Sequence, residues 1–127
     1  VRLSNVVGHK NNSNDLLSSI FHDVKTLKKI QINITPESEK DYVYIDDVVK
    51  LLPKISLEGK EKIYNVASGN NIKIKEIVDE IQKITNVKIN FSENAIDQSF
   101  KKINIEKIKV EFKFKPTKIL DKLKEII

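Results

Sequence analysis

Several residue types that carry chemistry or allow tight turns are absent from this chain or rare in it. There is no cysteine, methionine or tryptophan, and only three glycines and three prolines occur among 127 residues. Without cysteine the chain has no disulfide, thiolate metal site or cysteine nucleophile, and the cytoplasm is the expected compartment. Gly8, Gly59 and Gly69 are too far apart to form a glycine-rich dinucleotide or P-loop motif, so no phosphate cradle of that kind is present.

Catalytic residue types are equally sparse. The two histidines, His9 and His22, have no cysteine near them and make a poor metal site. Ser68 lacks the G-x-S-x-G frame of a serine nucleophile. None of the three tyrosines is followed four positions later by lysine. We therefore predict neither a catalytic residue nor a metal site in this chain, and we expect His22 to be a boundary residue beside a helical apolar face.

Long hydrophobic runs are also missing. Charged residues make up 32% of the sequence, and no leader with a charged, an apolar and a small-residue region opens it. We expect neither a membrane span nor a signal peptide, and we expect a soluble intracellular protein. The length fits a single domain over residues 1–127. The lack of methionine and a start inside an apparent strand indicate a piece of a longer protein.

Positive charge is concentrated at the end of the chain. Residues 101–127 contain nine lysines and four acidic residues, a net +5, while the preceding residues balance at zero. A basic end can bind nucleic acid or another polyanion. Lysines interleaved with apolar residues at helical spacing more often form a solvated helix face, which is the interpretation we favour.

Strand-like and helix-like patterns alternate along the sequence. Strands are predicted in "VRLSNVV", "IQINI", "YVYI", "KIYNVA" and "VKINF", and helices at 15–28, from Asp46, from about residue 74 and at the C-terminus. Ser13 or Asn14 is the expected cap of the first helix. This order favours an α/β domain with mainly parallel strand pairing.

Three local features refine this prediction. Pro53 should kink or end the second helix, whose apolar stripe includes Val49. In the turn "SGNN", Gly69 should supply a positive φ angle. The segment 105–114 fits a strand through Val110 or a helix, and periodicity alone does not decide between them.

The stretch "DYVYIDD" ends in two adjacent aspartates. A helix that begins at Asp46 explains the pair, because a carboxylate there caps free N–H groups and suits the positive end of the helix dipole. A catalytic carboxylate pair needs contrasting environments that separate the two pKa values. Adjacent residues at one helix start give no such contrast, so we interpret Asp46 and Asp47 as structural.

Three motifs, taken together, resemble the C-terminal part of a known enzyme family. "VRLSNVVG" is similar to R-x-x-N-V-Y-G, "EKDYVYIDDVV" to R-D-Y-V-Y-V-D-D-V, and "IYNVASGNN" to Y-N-V-G-S-G, while "FKFKPTKILDKLKEI" more distantly resembles the end of many members. The family is the extended short-chain dehydrogenase/reductases, the NAD-dependent epimerases and dehydratases of nucleotide sugars.

The resemblance implies a Rossmann-type α/β enzyme of which this chain is the substrate-binding part. The dinucleotide-binding half, with the catalytic tyrosine and lysine, would lie on residues absent here. NAD or NADP would act in the parent enzyme, implied to be a homodimer, and no cofactor is expected to bind this chain alone. The expected partner is a nucleoside-diphosphate sugar, positioned for hydride transfer.

The family's binding residues transfer to four places in this sequence. Asn5 matches the asparagine that contacts the substrate diphosphate, and Ser4 a position near the nicotinamide. Asn14 and Leu16 lie where the family opens the helix that borders the nucleotide base. Lys40 replaces an arginine that reaches a phosphate in many members; it keeps the charge without the two-pronged geometry. Each of these positions also has a structural explanation. Asn5 fits a turn at the end of a strand, and Ser4 fits ordinary packing. Asn14 fits a helix cap, and Lys40 fits an exposed lysine.

The sequence also departs from the family pattern. Val7 and His9 stand where tyrosine and proline are common, Gln98 where many members have a second phosphate-binding arginine, and Lys113 at a usual glycine. The loss of both phosphate-binding arginines, at Lys40 and Gln98, has two explanations: a coding bias toward lysine, or weaker or altered substrate binding. The same resemblance favours a short helix at residues 105–112.

Two further hypotheses compete with that of an enzyme fragment. One is a small basic module that binds nucleic acid through the C-terminal lysines, although the 6% aromatic content offers few stacking surfaces. The other is a degenerate, non-catalytic homologue. The sugar, the nucleotide, the reaction subtype and the choice between NAD and NADP all depend on residues outside this sequence.

Overall fold

A computed structural model describes residues 1–8 and 15–127, and shows an α/β fold in which strands and helices alternate. The strands are β1 (Arg2–Leu3), β2 (Asn5–Val7), β3 (Lys29–Ile34), β4 (Glu39–Tyr44), β5 (Asn65–Val66), β6 (Asn71–Lys73) and β7 (Lys88–Ile96). The helices are α1 (Leu16–Thr26), α2 (Ile45–Glu58), α3 (Ile74–Ile84), α4 (Glu106–Phe112) and α5 (Ile119–Ile126). No helix within this part of the chain is long and apolar enough to cross a membrane.

Strand pairing is mainly parallel, as predicted. Among the described residues, β1 pairs with β5, β2 with β4 and β3 with β7, all in parallel, while β6 adds to β4 in the antiparallel sense. The strands form three small sheets with the orders β1-β5, β2-β4-β6 and β3-β7. Parallel pairs need crossover connections, and the intervening helices supply them.

The segment predicted as one strand, "VRLSNVV", divides at Ser4. The residues before Ser4 pair with β5, and the residues after it pair with β4, where Asn5 is opposite Tyr42. The prediction of a single strand was therefore wrong. The change of partner places a polar residue, half-buried, at the point where two sheets separate, and this point lies at the candidate site described below.

The core consists of two apolar clusters. The larger one joins one face of β3 to helices α1, α3 and α5, with β7 alongside, so that each of these helices buries an apolar face. Its most deeply buried members are Leu17, Ile77, Ile81 and Leu123. Leu27, which was assigned to the apolar face of the first helix, lies beyond α1 and is 48% exposed. The smaller cluster packs α2 and α4 around β5 and includes Val43, Val66 and Ile108. Burial of these side chains is the main stabilising contribution.

Two predicted helix starts differ from those in the structure. Asp15 caps α1, since its Oδ1 accepts a hydrogen bond from the Ser18 N–H at 2.9 Å. Ser13 and Asn14, the predicted caps, lie outside the described residues. Helix α2 begins at Ile45, so Asp46 is in its first turn and does not cap it.

Asp47 connects α2 to the segment that precedes α5. Its carboxylate accepts hydrogen bonds from the Thr117 N–H at 2.6 Å and from the Thr117 hydroxyl at 2.9 Å. The structural interpretation of Asp47 thus agrees with the contacts, although the contact is with a distant segment and not with its own helix.

Helix α2 continues through Pro53 to Glu58. Proline removes one N–H donor from the helix interior, but hydrogen bonding resumes beyond it, and the Gly59 N–H reaches the Ile55 carbonyl oxygen at 2.9 Å. Of the two predicted effects of Pro53, a kink or an end of the helix, the end is therefore wrong. Val49, which was assigned to the apolar stripe, is 60% exposed.

The ambiguous segment forms helix α4, as the family resemblance implied, and Val110 is exposed. The helix ends at Lys113, whose φ of 52° is the only positive φ of a non-glycine residue among those described. A residue in this left-handed conformation closes a helix, and glycine is the usual choice. Lys113, which stands where the resemblance implies a glycine, is therefore locally strained.

Two polar contacts fix surface segments. Glu37 accepts hydrogen bonds from Lys73 at 2.5 Å and Lys75 at 2.6 Å, and these partners lower the pKa of Glu37 to about 2. Tyr64, buried at the side of the smaller cluster, donates its hydroxyl proton to Glu111 at 2.7 Å. The same hydroxyl oxygen accepts the N–H groups that follow α2, at 2.7 and 2.9 Å.

Candidate functional site

An open cleft of about 520 Å³ lies where β1 passes into β2 beside β4. It is lined by Leu3, Ser4, Asn5, Lys40, Asp41, Phe100, Lys101 and Ile103. Three of the residues selected from the sequence, Ser4, Asn5 and Lys40, therefore lie at one cleft. They come together because β2 and β4 are parallel and adjacent, with Asn5 opposite Tyr42 in the register.

Asp41 lies at the base of this cleft and is only 3% exposed. Its Oδ1 accepts hydrogen bonds from the Ser4 hydroxyl and from the Ser68 N–H, both at 2.8 Å. Its Oδ2 accepts a hydrogen bond from the Ser68 hydroxyl at 2.9 Å. A buried carboxylate requires such donors, because an unpaired charge would be costly to bury. Asp41 thus connects the β1–β2 junction, β4 and the turn after β5.

The Asn5 side chain is held by the backbone of Asp41. Its Nδ2 donates a hydrogen bond to the carbonyl oxygen of Asp41 at 2.9 Å. A side-chain amide carries two N–H donors and one carbonyl acceptor, so this contact fixes the orientation of the group without using all of it. The exposed Asn5 amide can therefore present a second N–H to a ligand.

Lys40 supplies positive charge to the lining of the cleft. Its Nζ donates a hydrogen bond to Gln98 Oε1 at 3.2 Å and lies 5.1 Å from the centroid of the Phe100 ring. Phe100 is 60% exposed, and Lys101 adds a second cation to the lining. Lys40 and Gln98, the two positions at which the sequence resemblance implies phosphate-binding arginines, are thus in direct contact here.

The remaining selected residues lie elsewhere. Leu16 packs against the larger apolar cluster and is not among the residues that line the cleft. Asn14 lies outside the described residues. His22 is exposed, with 76% of its side chain accessible, on α1. The structure therefore gathers Ser4, Asn5 and Lys40 but does not bring Leu16 to them.

Sequence reasoning missed Asp41, Phe100 and Lys101 as parts of the cleft. Asp41 follows Glu39 and Lys40 in β4, so its charge alone does not distinguish it from its neighbours in the sequence. Phe100 and Lys101 lie in a segment without regular structure, where no periodicity relates them to β4. Among residues 1–8 and 15–127, no group of histidine, aspartate or glutamate side chains could hold a metal ion.

Comparison with known proteins finds relatives among curated sequences and among solved structures. No family model matches the chain. It is 33% identical over 114 residues to a dTDP-4-dehydro-6-deoxyglucose reductase of Escherichia coli, an alignment that covers 83% of the chain and 33% of that protein. It is 30% identical over 101 residues to a CDP-abequose synthase of Salmonella muenchen, covering 76% of the chain and 34% of the relative.

Solved structures show the same fold. An NADPH complex of RMD from Pseudomonas aeruginosa superposes with a TM-score of 0.82 at 18% identity and covers 98% of the chain. A dTDP-glucose 4,6-dehydratase from Bacillus anthracis in complex with NAD gives 0.76 at 20% identity, again over 98% of the chain. The chain spans about a third of the length of the curated relatives, and 44% and 42% of these two structures.

Proposed function

The chain belongs to the extended short-chain dehydrogenase/reductases that modify nucleotide sugars, and from this premise we propose that its cleft binds the nucleoside-diphosphate sugar. The observation that carries the proposal is the convergence of Ser4, Asn5 and Lys40 on one open cleft. These residues were selected by motif position; Ser4 and Asn5 are consecutive, and Lys40 lies on a separate segment of the sequence.

The chemistry of the cleft matches the ligand class. Lys40 and Lys101 supply positive charge for a diphosphate, and the Asn5 amide supplies an N–H donor. Leu3, Ile103 and the exposed ring of Phe100 offer apolar surface for a sugar or a base. A diphosphate held in this way would fix the sugar ring for reaction, which is catalysis by positioning.

We assign the reaction itself to a longer protein. In this proposal NAD or NADP is bound by a dinucleotide-binding half that this sequence does not contain, and the whole enzyme is an epimerase, dehydratase or reductase acting as a homodimer. The short parallel pair β1–β5 supports such a partner, because Val1, Leu3 and Ile63 beside it are 58%, 51% and 45% exposed. Parallel sheets are normally covered on both faces.

The alternative of a nucleic-acid module is less well supported. Among the C-terminal lysines, Lys107 pairs with Glu61, Lys109 with Glu106 and Lys122 with Glu125. These ion pairs neutralise part of the positive charge at the C-terminal end, as on a solvated helix face. The cleft, in contrast, combines cations with donors and apolar surface.

Calorimetric titration of the chain with UDP-glucose, dTDP-glucose and a short DNA duplex tests the proposal. We expect saturable binding of a nucleotide sugar, weakened roughly tenfold or more by Lys40→Gln, because a charged hydrogen bond is removed. Lys25→Gln, an exposed lysine in the last turn of α1, is the matched control and should leave the affinity unchanged. Binding of DNA alone, abolished by moderate salt, would contradict the proposal.

A further inference from the structure

We propose that Asp41 is a positioning residue that sets the hydrogen-bonding direction of the cleft. The inference rests on the proposed function and assigns roles to two residues of the same site. Asp41 contacts Ser4 through its side chain and Asn5 through its backbone, and both of these residues line the cleft. One buried residue therefore fixes the orientation of two polar groups that line the cleft.

The Ser4 contact determines what that hydroxyl can recognise. A carboxylate accepts hydrogen bonds and cannot donate them, so the Ser4 proton must point to Asp41 Oδ1, 2.8 Å away. A serine hydroxyl has one proton and two lone pairs. Ser4 therefore offers only acceptor lone pairs to a ligand, and it favours a ligand O–H or N–H over a phosphate oxygen.

The Asn5 contact has the opposite effect. One N–H of its amide is donated to the Asp41 carbonyl oxygen at 2.9 Å, which turns the Nδ2 group toward β4 and leaves its other N–H as a donor. Asn5 is thus suited to an anionic oxygen, as is Lys40, which lines the same cleft. The cleft is divided into a donor side for the diphosphate and an acceptor position at Ser4.

Asp41 itself is held firmly enough to act in this way. It is 3% exposed, and both of its oxygens are engaged by Ser68, whose hydroxyl oxygen in turn accepts a hydrogen bond from the Asn70 N–H at 3.2 Å. Because Ser68 holds the carboxylate from the side of the β5 turn, the carboxylate has little freedom to rotate away from Ser4. Groups that orient a binding residue in this manner improve its precision.

The group that Ser4 recognises has two possible sources, a hydroxyl of the substrate sugar or the carboxamide N–H of a nicotinamide. Titrations of the chain with UDP, UDP-glucose, dTDP, dTDP-glucose, NAD⁺ and ADP-ribose separate them. The sugar source predicts tighter binding of the nucleotide sugar than of the corresponding diphosphate. The nicotinamide source predicts tighter binding of NAD⁺ than of ADP-ribose, which lacks the carboxamide.

The variants Ser4→Ala, Asp41→Ala and Asp41→Asn test the role of Asp41. In the wild-type chain we expect the ligand that carries the donor to bind roughly threefold to tenfold more tightly than its counterpart, which is the contribution of one hydrogen bond. This preference should disappear in Ser4→Ala and in Asp41→Ala. Asp41→Asn keeps one acceptor oxygen and should retain part of this preference. Ser68→Ala, which removes the hydroxyl contact to Oδ2 but keeps the Ser68 N–H that holds Oδ1, should retain the preference.

The possible outcomes are distinguishable. A merely structural role for Asp41 predicts that both members of a ligand pair weaken by the same factor, so an unchanged preference in Asp41→Ala would overturn the inference. If Asp41→Ala does not fold, Ser4→Ala and Asp41→Asn decide the question by the same ratio. Wild-type chain that binds these nucleotides without any preference would overturn the inference alone, whereas wild-type chain that binds none would overturn the proposed function as well.

Discussion

Replacing Gly69 with alanine tests the turn that supports the cleft. Gly69 follows Ser68, the partner of Asp41, and has a φ of +74°. An L-residue in this conformation is strained by about 1 to 2 kcal/mol. The added Cβ would also lie 2.8 Å from both Cγ1 and Cδ1 of Ile105, a side chain that is 5% exposed.

The two costs have different origins and can be separated. Overpacking a filled core typically costs about 1 to 3 kcal/mol, so Gly69→Ala should reduce the free energy of unfolding by roughly 2 to 5 kcal/mol in total. Ile105→Ala removes both clashing carbons. In that background only the backbone strain remains, and Gly69→Ala should cost about 1 to 2 kcal/mol.

Urea unfolding followed by circular dichroism measures these differences as shifts of the midpoint at constant m-value. The four proteins form a double-mutant cycle with an expected coupling of about 1 to 3 kcal/mol. A stabilising osmolyte keeps the weakest variant folded. An equal cost of Gly69→Ala in both backgrounds would refute the packing argument, and a cost near zero would refute the turn geometry as well.

Three other predictions concern stability. Lys113→Gly should raise the free energy of unfolding by roughly 0.5 to 1 kcal/mol in a urea titration, because Lys113 ends α4 with a positive φ; a loss of stability would contradict this assignment. Tyr64→Phe should lower it by about 1 to 2 kcal/mol, since the hydroxyl that contacts Glu111 is removed, and an unchanged midpoint would show that water replaces the contact without loss. The lowered pKa of Glu37 adds stability that is present above its usual pKa of 4.5 and is lost as the pH falls to about 2. Thermal unfolding should therefore show a shallower acid dependence in Glu37→Gln than in wild type, and equal slopes would contradict the ion pairs.

The helices were more predictable than the small sheets. In α3 the isoleucines recur at helical spacing, and burial of that face follows directly from the pattern. Strand β6, in contrast, is short and polar, and it exists because Asn71 and its neighbours pair with β4. The division at Ser4 likewise depends on two different partner strands. Such pairings are tertiary and leave little trace in local sequence.

The candidate site was predictable only in part, for a similar reason. Motif position indicated Ser4, Asn5 and Lys40, which the fold then brings to one cleft. The contacts of Asp41 connect positions that are far apart in sequence, so its role could be recognised only from the structure. Phe100 belongs to a segment whose placement against β4 is set by isolated hydrogen bonds, such as that from the Phe100 N–H to the Glu39 carbonyl oxygen at 3.0 Å.

The most direct test of the central claim is a chemical-shift titration of the isotopically labelled chain with UDP-glucose and dTDP-glucose. We predict saturable shifts, selective for one nucleotide, at Ser4, Asn5 and Lys40, with little change at Ile77 and Ile81 in the distant core. Shifts confined to the C-terminal lysines, produced equally by a DNA duplex and erased by moderate salt, would contradict a nucleotide-sugar site in this cleft.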